Sequence, residues 1–276
     1  MIGFGIDEET KKAMLGCREL IKNISAERIF AELSRLLCGK DVKRILTEFY
    51  PVFAVVIPEI KKMAGFDQHN FHHIHDVLTH TAVVTESTPP LLHLRLAALF
   101  HDIAKPLCFS LDENGVGHFY SHASRSAMIA EERLTLLRCD SKTKQAVIKL
   151  IKLHDTPIEE SEKIIKRRLN SMGRDLFFDL ISLKRADTAG LSPEYASRNA
   201  HFDRLEEMAR EILEGDDCFS LKSLAINGND LISLGFKGRG IGEMLSFLLE
   251  EVIEGRLENE REKLEEKAKE RAISSQ

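Results

Sequence analysis

Eleven histidines occur in the 276 residues, and five of them fall between His69 and His80. Neutral imidazole is the commonest metal ligand and titrates near neutral pH, so this stretch could bind a metal or transfer protons. Histidines that are close only in sequence do not form a site, because a ligand set must converge in space. The other candidates are polar residues on or at the ends of apolar helical segments: His101, Asp102, Lys105, His122, His154 and Asp187.

The pair His101–Asp102 is the most informative candidate. It directly follows the apolar run Leu94–Phe100, and a buried ionised carboxylate is costly unless it is paired or bound to a cation. A lone His-Asp dipeptide is most often a core histidine beside a helix-terminal aspartate. Here, however, suitable partners recur on or at the ends of other apolar helical segments: His80, His122, His154 and Asp187. Mixed imidazole and carboxylate ligands suit Fe, Mn, Ni, Co or Zn, and affinity alone does not choose between them.

The elements that must position these residues are helices. Asp7 and Ser25 stand at N-cap positions, and Gly39 stands where a helix would end. The stretch Leu91–Lys105 is apolar nearly all round and predicts one buried central helix. The β-branched run Val52–Pro58 is short, so strand signals are almost absent. We expect an all-α fold.

Composition excludes several classes of protein. The net charge is −5, so no global basic field indicates nucleic-acid binding. The basic segment Lys163–Arg174 is better interpreted as a solvated helix face than as an RNA contact. Five scattered cysteines without a CxxC pair favour a reducing compartment. The sequence shows no membrane-spanning run or signal peptide, so we expect a cytoplasmic protein without a membrane partner.

Two family resemblances follow from the order of these residues. The series His80, His101, Asp102 and Asp187 resembles the ligand set of the HD superfamily of metal-dependent phosphohydrolases. Six ordered motifs are similar to the bacterial tRNA nucleotidyltransferases, the CCA-adding enzymes that carry an HD domain. These motifs are ISAERIFAELSRLL, QHNFHHIHDVLTHT, LRLAALFHDIAKP, GHFYSHASRSA, RRLNSMGRDLFFDLISLKRAD and LAINGNDLISLGFKGRGIGEMLSFLLEEVIEGRLEN. The resemblance implies a helical neck (1–62), an HD-domain helical bundle (63–190) and a C-terminal helical body (191–276).

The resemblance also implies roles for single residues. It implies that one or two divalent ions, with Mg²⁺ also allowed, are bound by His80, His101, Asp102 and Asp187. It implies catalytic roles for Asp102, Lys105, His122 and His154. It implies substrate contacts from His73, Lys105, His122 and His154. His122 and His154 match positions that bind a second metal or act on a leaving group, and ordinary roles as core or cap histidines stay equally open for them.

Two functions are compatible with these motifs. The first is a metal-dependent phosphohydrolase, a phosphomonoesterase or 2′,3′-cyclic phosphodiesterase, acting on nucleotide or RNA-end phosphates. The alternative is a non-catalytic tRNA-binding or assembly module whose partner supplies the polymerase head. The chain has no Gly-Gly-x-x-Arg-Asp loop and no Asp-x-Asp pair, so we expect no nucleotide addition by the chain alone. A small phosphoester or nucleotide is the expected partner, and RNA or tRNA binding and oligomerisation stay open.

A glycine-rich stretch, Gly238 to Gly242, precedes a predicted helix. Backbone amides at such a helix start could face a phosphate. No strand precedes the stretch and no Walker lysine follows it, so dinucleotide-binding and P-loop sites do not fit. A turn that packs the start of a helix is the preferred interpretation.

Overall fold

The N-terminal part of the chain is helical. The computed structural model describes residues 5–69, 75–191, 197–215 and 219–274. A 3₁₀ turn spans Arg18–Asn23. The first eight α-helices are α1 (Glu8–Gly16), α2 (Ala26–Leu37), α3 (Val42–Glu48), α4 (Tyr50–Val56), α5 (Ile60–Met63), α6 (Val77–Ser87), α7 (Leu92–Phe100) and α8 (Lys105–Cys108).

The remaining elements of the described ranges are eight helices and one short hairpin. The hairpin pairs β1 (Ser110–Leu111) with β2 (Gly117–His118) in antiparallel register. The later helices are α9 (His122–Leu136), α10 (Ser141–Leu153), α11 (Glu162–Met172), α12 (Arg174–Ala189), α13 (Arg198–Glu214), α14 (Gly228–Ser233), α15 (Arg239–Ile253) and α16 (Arg261–Ser274). The prediction of an all-α fold is confirmed.

The chain forms two compact units. Unit 1 comprises Met1–Pro157 and Phe178–Ala200, and unit 2 comprises Ile158–Phe177 and His201–Gln276. The division into a neck, a central bundle and a C-terminal body stays a prediction. Within the described ranges, the helices are too short or too polar to cross a lipid bilayer.

Local sequence signals explain several helix starts. The Asp7 carboxylate accepts hydrogen bonds from the amides of Glu9 and Thr10, so the predicted cap of α1 is confirmed. Ser25 is the N-cap of α2, but its side chain makes no capping bond. Most of the β-branched run, Val52–Val56, lies in α4. This helix has a proline in its first turn, where a missing amide hydrogen costs nothing.

The core of unit 1 surrounds α7. Helix α10 packs against α9 and α7, and α6 packs against α3 and α7. Every residue from Leu94 to Phe100 is buried. The predicted helix over Leu91–Lys105 is too long, however, because α7 ends at Phe100 and a turn precedes α8. Pro106 lacks the amide hydrogen that a continuous helix would direct at the Asp102 carbonyl. His101 and Asp102 therefore lie in a buried turn at the end of a buried helix.

The core of unit 2 is built from aliphatic side chains. Helix α15 packs against α11, α14 and α16. The core residues are Leu224, Ile226, Leu231, Met244, Leu248, Leu249, Ile253, Leu264 and Ala268. Gly238 is the N-cap of α15 with a positive φ of 53°. The glycine-rich stretch thus turns the chain into a helix, as its preferred interpretation predicted.

Candidate functional site

The four residues predicted to bind a metal lie together in unit 1. Each of His80, His101, Asp102 and Asp187 offers one ligand atom within 4.8 Å of the others. His80 belongs to α6, the His101–Asp102 pair to the turn after α7, and Asp187 to the last turn of α12. The two imidazoles and the Asp102 carboxylate are buried, whereas the Asp187 side chain keeps 31% of its surface exposed. Three chain segments far apart in sequence thus supply one ligand set.

The distances within this set are those of ligands around one cation. His80 Nε2 lies 3.0 Å from Asp187 Oδ1 and 3.5 Å from Asp102 Oδ2. His101 Nε2 lies 3.3 Å from Asp102 Oδ2 and 3.5 Å from Asp187 Oδ1. Donor atoms bound about 2.1 Å from one ion, at angles between right and tetrahedral, are about 3.0–3.4 Å apart. The observed separations match that geometry.

Backbone carbonyls orient the imidazoles that face this region. In each ring the Nδ1 atom is within hydrogen-bond distance of a carbonyl oxygen, and donation from Nδ1 leaves Nε2 as the available ligand atom. The four pairs are His80–Gly190 (3.1 Å), His101–Ala98 (2.6 Å), His122–Phe119 (2.9 Å) and His154–Ile151 (2.7 Å). Each ring is therefore oriented with Nε2 toward the aspartate carboxylates, as a metal ligand requires.

Gly190 is a site residue that sequence reasoning missed. A Cβ atom at this position would lie 2.6 Å from His80 Nδ1 and 2.8 Å from its Cε1, which is closer than real Cβ contacts allow. Only glycine therefore lets this carbonyl approach the His80 ring. The sequence signal is a glycine three residues after Asp187, and its significance depends on a contact across 110 positions.

Buried polar atoms without a regular hydrogen bond also indicate a cation. Among the described residues, His101 Nε2 and both Asp102 oxygens are buried without a hydrogen bond of normal geometry. Burial disfavours charge on His101, but the Asp102 and Asp187 carboxylates outweigh it and raise the pKa of His101 to about 10. Burial also disfavours charge on Asp102, yet His101 and Lys105 hold the pKa of that carboxyl well below its usual range. The site thus demands positive charge, and its nitrogen and oxygen donors fit a divalent transition metal.

Lys105 is held against Asp102 rather than being free in the cavity. Its Nζ atom lies 2.7 Å from Asp102 Oδ2 and donates a 2.9 Å hydrogen bond to Gln68 Oε1. Both Lys105 and Gln68 are buried. Sequence reasoning missed Gln68, because no motif marks a residue that contacts the site only through a lysine 37 positions away.

His122 and His154 face the other oxygen of the same carboxylate. Their Nε2 atoms are 3.3 Å apart and lie 3.4 Å and 3.7 Å from Asp102 Oδ1. The three residues form a second potential metal set. Burial lowers the pKa of His122, which keeps the ring neutral near pH 7. Asp102 is therefore shared by both sets, and the roles proposed for the two histidines stay predictions.

A small polar cavity opens beside the two sets. Its volume is about 150 Å³, and it is lined by Asp102, Lys105, His122, His154, Asp155, Asp187, Leu191 and Arg198. Lysine and arginine side chains on its wall favour an anionic or oxygen-rich ligand. Sequence reasoning did not single out Arg198.

The histidines between His69 and His80 do not all belong to the ligand set. Of the histidines described there, His80 alone joins the ligand set, while His69 is exposed and His75 is half-buried outside it. His73, predicted to contact substrate, lies outside the described residues, as does His72.

Two family models match the chain. One, described as "Probable RNA and SrmB- binding site of polymerase A", matches residues 3–63. The other, described as tRNA nucleotidyltransferase domain 2, matches residues 118–268, more than half of the chain. The chain belongs to this second family. The resemblance to tRNA nucleotidyltransferases read from the sequence motifs is thereby confirmed.

Two curated relatives have similar sequences. The CC-adding tRNA nucleotidyltransferase of Thermus thermophilus is 30% identical over 93% of this chain. The A-adding tRNA nucleotidyltransferase of Deinococcus radiodurans is 27% identical over 90% of this chain. In both cases the match covers 60% of the relative. The chain thus spans well under two thirds of the length of the relatives it matches.

A solved structure has the same fold. The crystal structure of the Bacillus stearothermophilus CCA-adding enzyme in complex with CTP superimposes with a TM-score of 0.67 over 99% of this chain. Sequence identity is 17%, and the match covers 59% of that enzyme. At this identity the similarity establishes the helical fold alone.

The expected phosphohydrolase function is wrong. The curated relatives are tRNA nucleotidyltransferases, which are transferases, and the family model that covers most of the chain bears the same name. Assigning the chain to hydrolases of the HD type conflicts with these relatives. The physical reason for the error is that buried histidines and aspartates specify a metal site but not a reaction. The alternative, a module related to tRNA nucleotidyltransferase, fits better.

Proposed function

We propose that this chain is a tRNA-binding module of the tRNA nucleotidyltransferase type and that its unit 1 carries a divalent-metal site. The observation that carries the proposal is the pair of family matches, one to an RNA-binding segment and one to a tRNA nucleotidyltransferase domain. Both curated relatives are named for an action on tRNA. The partner that we propose for this chain is therefore tRNA, which the names of both relatives share.

A lysine stripe on α10 supports an RNA contact. Lys142, Lys149 and Lys152 share one side of the helix, because spacings of seven and three residues bring side chains to the same side. Val147 and Leu150 are buried on the other side. From Arg138 to Lys152 the sequence has five basic residues and one acidic residue. The α10 lysine stripe (Lys142, Lys149 and Lys152) therefore offers positive charge to an RNA backbone.

The charge balance of the units also favours unit 1 as the RNA-binding unit. Unit 1 has 23 basic and 22 acidic residues, whereas unit 2 has 16 basic and 22 acidic residues. A polyanion is repelled by the net negative charge of unit 2. The net negative charge of the chain therefore belongs mainly to unit 2, and unit 1 is nearly neutral.

An exposed aromatic stack supplies a second type of RNA contact. Tyr120 has 73% of its surface exposed, and its ring stacks on that of His118 with centroids 5.4 Å apart and an interplanar angle of 7°. Unpaired bases stack on such platforms, with about 1–3 kcal/mol per base. Lysines that hold phosphates together with a ring that holds a base suit single-stranded RNA ends.

The metal site is the second part of the proposal. The donor set of His80, His101, Asp102 and Asp187 would hold one ion of Ni, Mn, Fe, Co or Zn, with Mg²⁺ also allowed. Asp102, His122 and His154 would hold a second ion. A bound cation would neutralise the buried carboxylates and offer a position for an oxygen ligand in the adjoining cavity. Because the ligand residues belong to α6, α12 and the turn after α7, a bound ion would link these three segments.

The RNA part is tested by fluorescence anisotropy with labelled tRNA over a range of salt concentrations. Replacing the three lysines of the α10 lysine stripe by alanine should weaken tRNA binding. It should also reduce the magnitude of the slope of log K against log salt concentration by about 2–3, close to one per lost phosphate contact. The matched control replaces Lys263, Lys267 and Lys269 of α16 and should leave binding near the wild-type value. An intact chain that does not bind tRNA would refute the proposal.

A further inference from the structure

The C-terminal end of α10 is held by a lysine from another helix. Helix α10 ends at Leu153, and His154 is its C-cap residue. The last carbonyls of a helix have no amide partner within that helix. Here the Lys184 ammonium group of α12 donates hydrogen bonds to the carbonyl of His154 and, at 2.7 Å, to that of Thr156. Lys184 therefore caps α10 from a separate helix, and its charge suits the negative end of the helix dipole.

The capped end of α10 carries a residue of the second metal set. His154 Nε2 lies 3.7 Å from Asp102 Oδ1 and 3.3 Å from His122 Nε2. The ring is held against its own helix, since its Nδ1 atom lies 2.7 Å from the Ile151 carbonyl oxygen. The orientation of the ring is thus fixed relative to α10, and its place in the set depends on where the end of α10 lies.

Apolar packing holds the body of α10 but not the segment that follows it. Leu150 and Ile151 are buried and anchor the last turns of the helix. Residues 155–157, by contrast, are exposed. The hydrogen bonds from Lys184 connect this exposed segment to α12, and a charged donor makes stronger hydrogen bonds than a neutral one.

We propose that Lys184 is a positioning residue for the second metal set: it fixes the end of α10 so that His154 can share one ion with Asp102 and His122. The inference rests on the metal part of the proposed function and adds to it a residue that is not itself a ligand. Lys184 also stands three residues before Asp187 on α12. One helix therefore supplies a ligand to the first set and a support to the second.

The contacts of Lys184 differ from those of Lys105. Lys105 lines the polar cavity and contacts the Asp102 carboxylate. Lys184 is absent from the described lining of that cavity, and its ammonium group faces main-chain carbonyls instead. Lys105 is therefore placed to meet an anionic ligand, whereas Lys184 is placed to hold the backbone.

The sign of the effect on metal binding separates positioning from charge. Removing an ammonium group near a cation site reduces repulsion, so charge alone predicts tighter metal binding without Lys184. Loss of positioning predicts weaker binding, because His154 would no longer be held at ligand distance from the ion. Replacing Lys184 thus moves the metal affinity in opposite directions under the two explanations.

The experiment titrates Co²⁺ into the metal-free full chain by calorimetry. We expect the wild-type chain to bind an ion at each set, and His154→Ala identifies the step that belongs to the second set by removing it. Lys184→Met keeps the length of the side chain but not its donor. It should weaken the second ion by about tenfold or more, as the loss of a group that orients a metal ligand does, and leave the first ion within about twofold. Lys184→Arg restores a charged donor and should recover most of the affinity.

Lys144→Met is the matched control. Lys144 belongs to α10 itself, and its ammonium group donates a 2.9 Å hydrogen bond to Thr135 Oγ1 rather than to the end of the helix. This variant loses the same charge and donor and should bind both ions like the wild type. Circular dichroism establishes that each variant is folded, and the milder Lys184→Gln takes the place of Lys184→Met if the latter is not.

Three outcomes would overturn the positioning role of Lys184. They are unchanged or tighter binding of the second ion by Lys184→Met, equal weakening of both ions, and a Lys184→Arg variant that binds the second ion no better than Lys184→Met. The wild-type titration separates this inference from the proposed function. A wild-type chain that binds both ions, with an unaffected Lys184→Met, removes only the role of Lys184. A wild-type chain that binds no ion removes the metal part of the proposed function as well.

Discussion

The two units differ in where they keep polar groups. Of the fourteen buried polar or charged residues in the described structure, only Lys166 belongs to unit 2. Unit 1 buries five titratable side chains around the buried Asp102 carboxylate, namely His80, His101, Lys105, His122 and His154, whereas unit 2 has an aliphatic core. Burying charge lowers stability unless partners compensate it. The contrast therefore indicates that unit 1 is built around a functional site and that unit 2 is built for stability.

Several ion pairs of unit 2 involve exposed arginines instead. Arg167 binds Glu250 and Glu254, and Arg256 binds Glu251. Pairs with an exposed partner contribute little to stability, because water and salt screen them. The same residue types thus have different consequences in the two units, and mutations in each can test this difference.

The largest effect is expected from Asp102→Asn in unit 1. Asp102 is shared by both metal sets, and its loss leaves His101 and Lys105 buried without their carboxylate. We expect bound metal to fall to near zero and the free energy of unfolding to fall by about 3–5 kcal/mol. Metal content is measured by mass spectrometry on protein without a histidine tag, and stability by denaturant unfolding.

Asp179→Asn is the matched control for this change. Asp179 is on α12, as is Asp187, and it contacts His93 at 2.6 Å outside the metal sets. It should therefore keep the metal content of the wild type. Retention of metal by Asp102→Asn, or equal loss in both variants, would contradict the assigned ligand set.

The next effect concerns an ion pair at the edge of the core of unit 1. Arg133 donates to both oxygens of Glu59, at 2.7 Å and 3.1 Å. Burial opposes ionisation of Glu59, but the hydrogen bonds from Arg133 outweigh it and lower the pKa of this carboxyl below 4.5. Because the pKa of Glu59 is lower in the folded than in the unfolded state, the pair contributes its full stability at pH values above the unfolded-state pKa. This contribution is lost as pH falls through the folded-state pKa.

Glu59→Gln should therefore be less stable than wild type by about 1.5–3 kcal/mol at neutral pH. The difference should shrink as pH drops below 4.5, the ordinary value for this group. Urea unfolding over a pH series measures it. A difference that stays constant through this range would mean that packing, not charge, makes the contribution.

A smaller effect is expected from Tyr120→Ala, which removes the exposed ring of the aromatic stack. Loss of one base-stacking contact should weaken tRNA binding by about 1–3 kcal/mol, without changing the salt slope. Tyr120→Phe is the control and should bind like wild type, because the ring persists. Anisotropy at one salt concentration, followed by a salt titration, distinguishes stacking from phosphate contact. A changed slope with an unchanged affinity would contradict the stacking role.

Sequence patterns predicted the helical fold and the convergence of the ligand set well. Asp7 was identified as a cap because capping is local, and the cap forms as expected. His80, His101, Asp102 and Asp187 were proposed as one set because their order resembles that of a known family, and their side chains meet. The first inference depends on local sequence and the second on a family resemblance.

Contacts between distant positions could not be predicted in the same way. Gly190 matters only because its carbonyl faces His80, and Gln68 only because it binds Lys105. The length of α7 was misjudged because apolar periodicity outweighed the nearby Pro106. The function was misassigned for a different reason, since a set of ligand residues can hold a cation without defining the reaction.

The smallest effect is expected from Arg167→Ala in unit 2. Arg167 Nε donates a 2.8 Å hydrogen bond to Glu250, but 44% of the arginine side chain and 43% of the glutamate side chain are exposed. We therefore expect a loss of about 0–1 kcal/mol that disappears at high salt. Arg133→Ala in unit 1 is the same chemical change at a pair with 18% and 16% exposure, and it should cost more and depend less on salt. Calorimetric unfolding of both variants at low and high salt measures the difference. Equal losses would mean that the two units do not differ in how their charges contribute to stability.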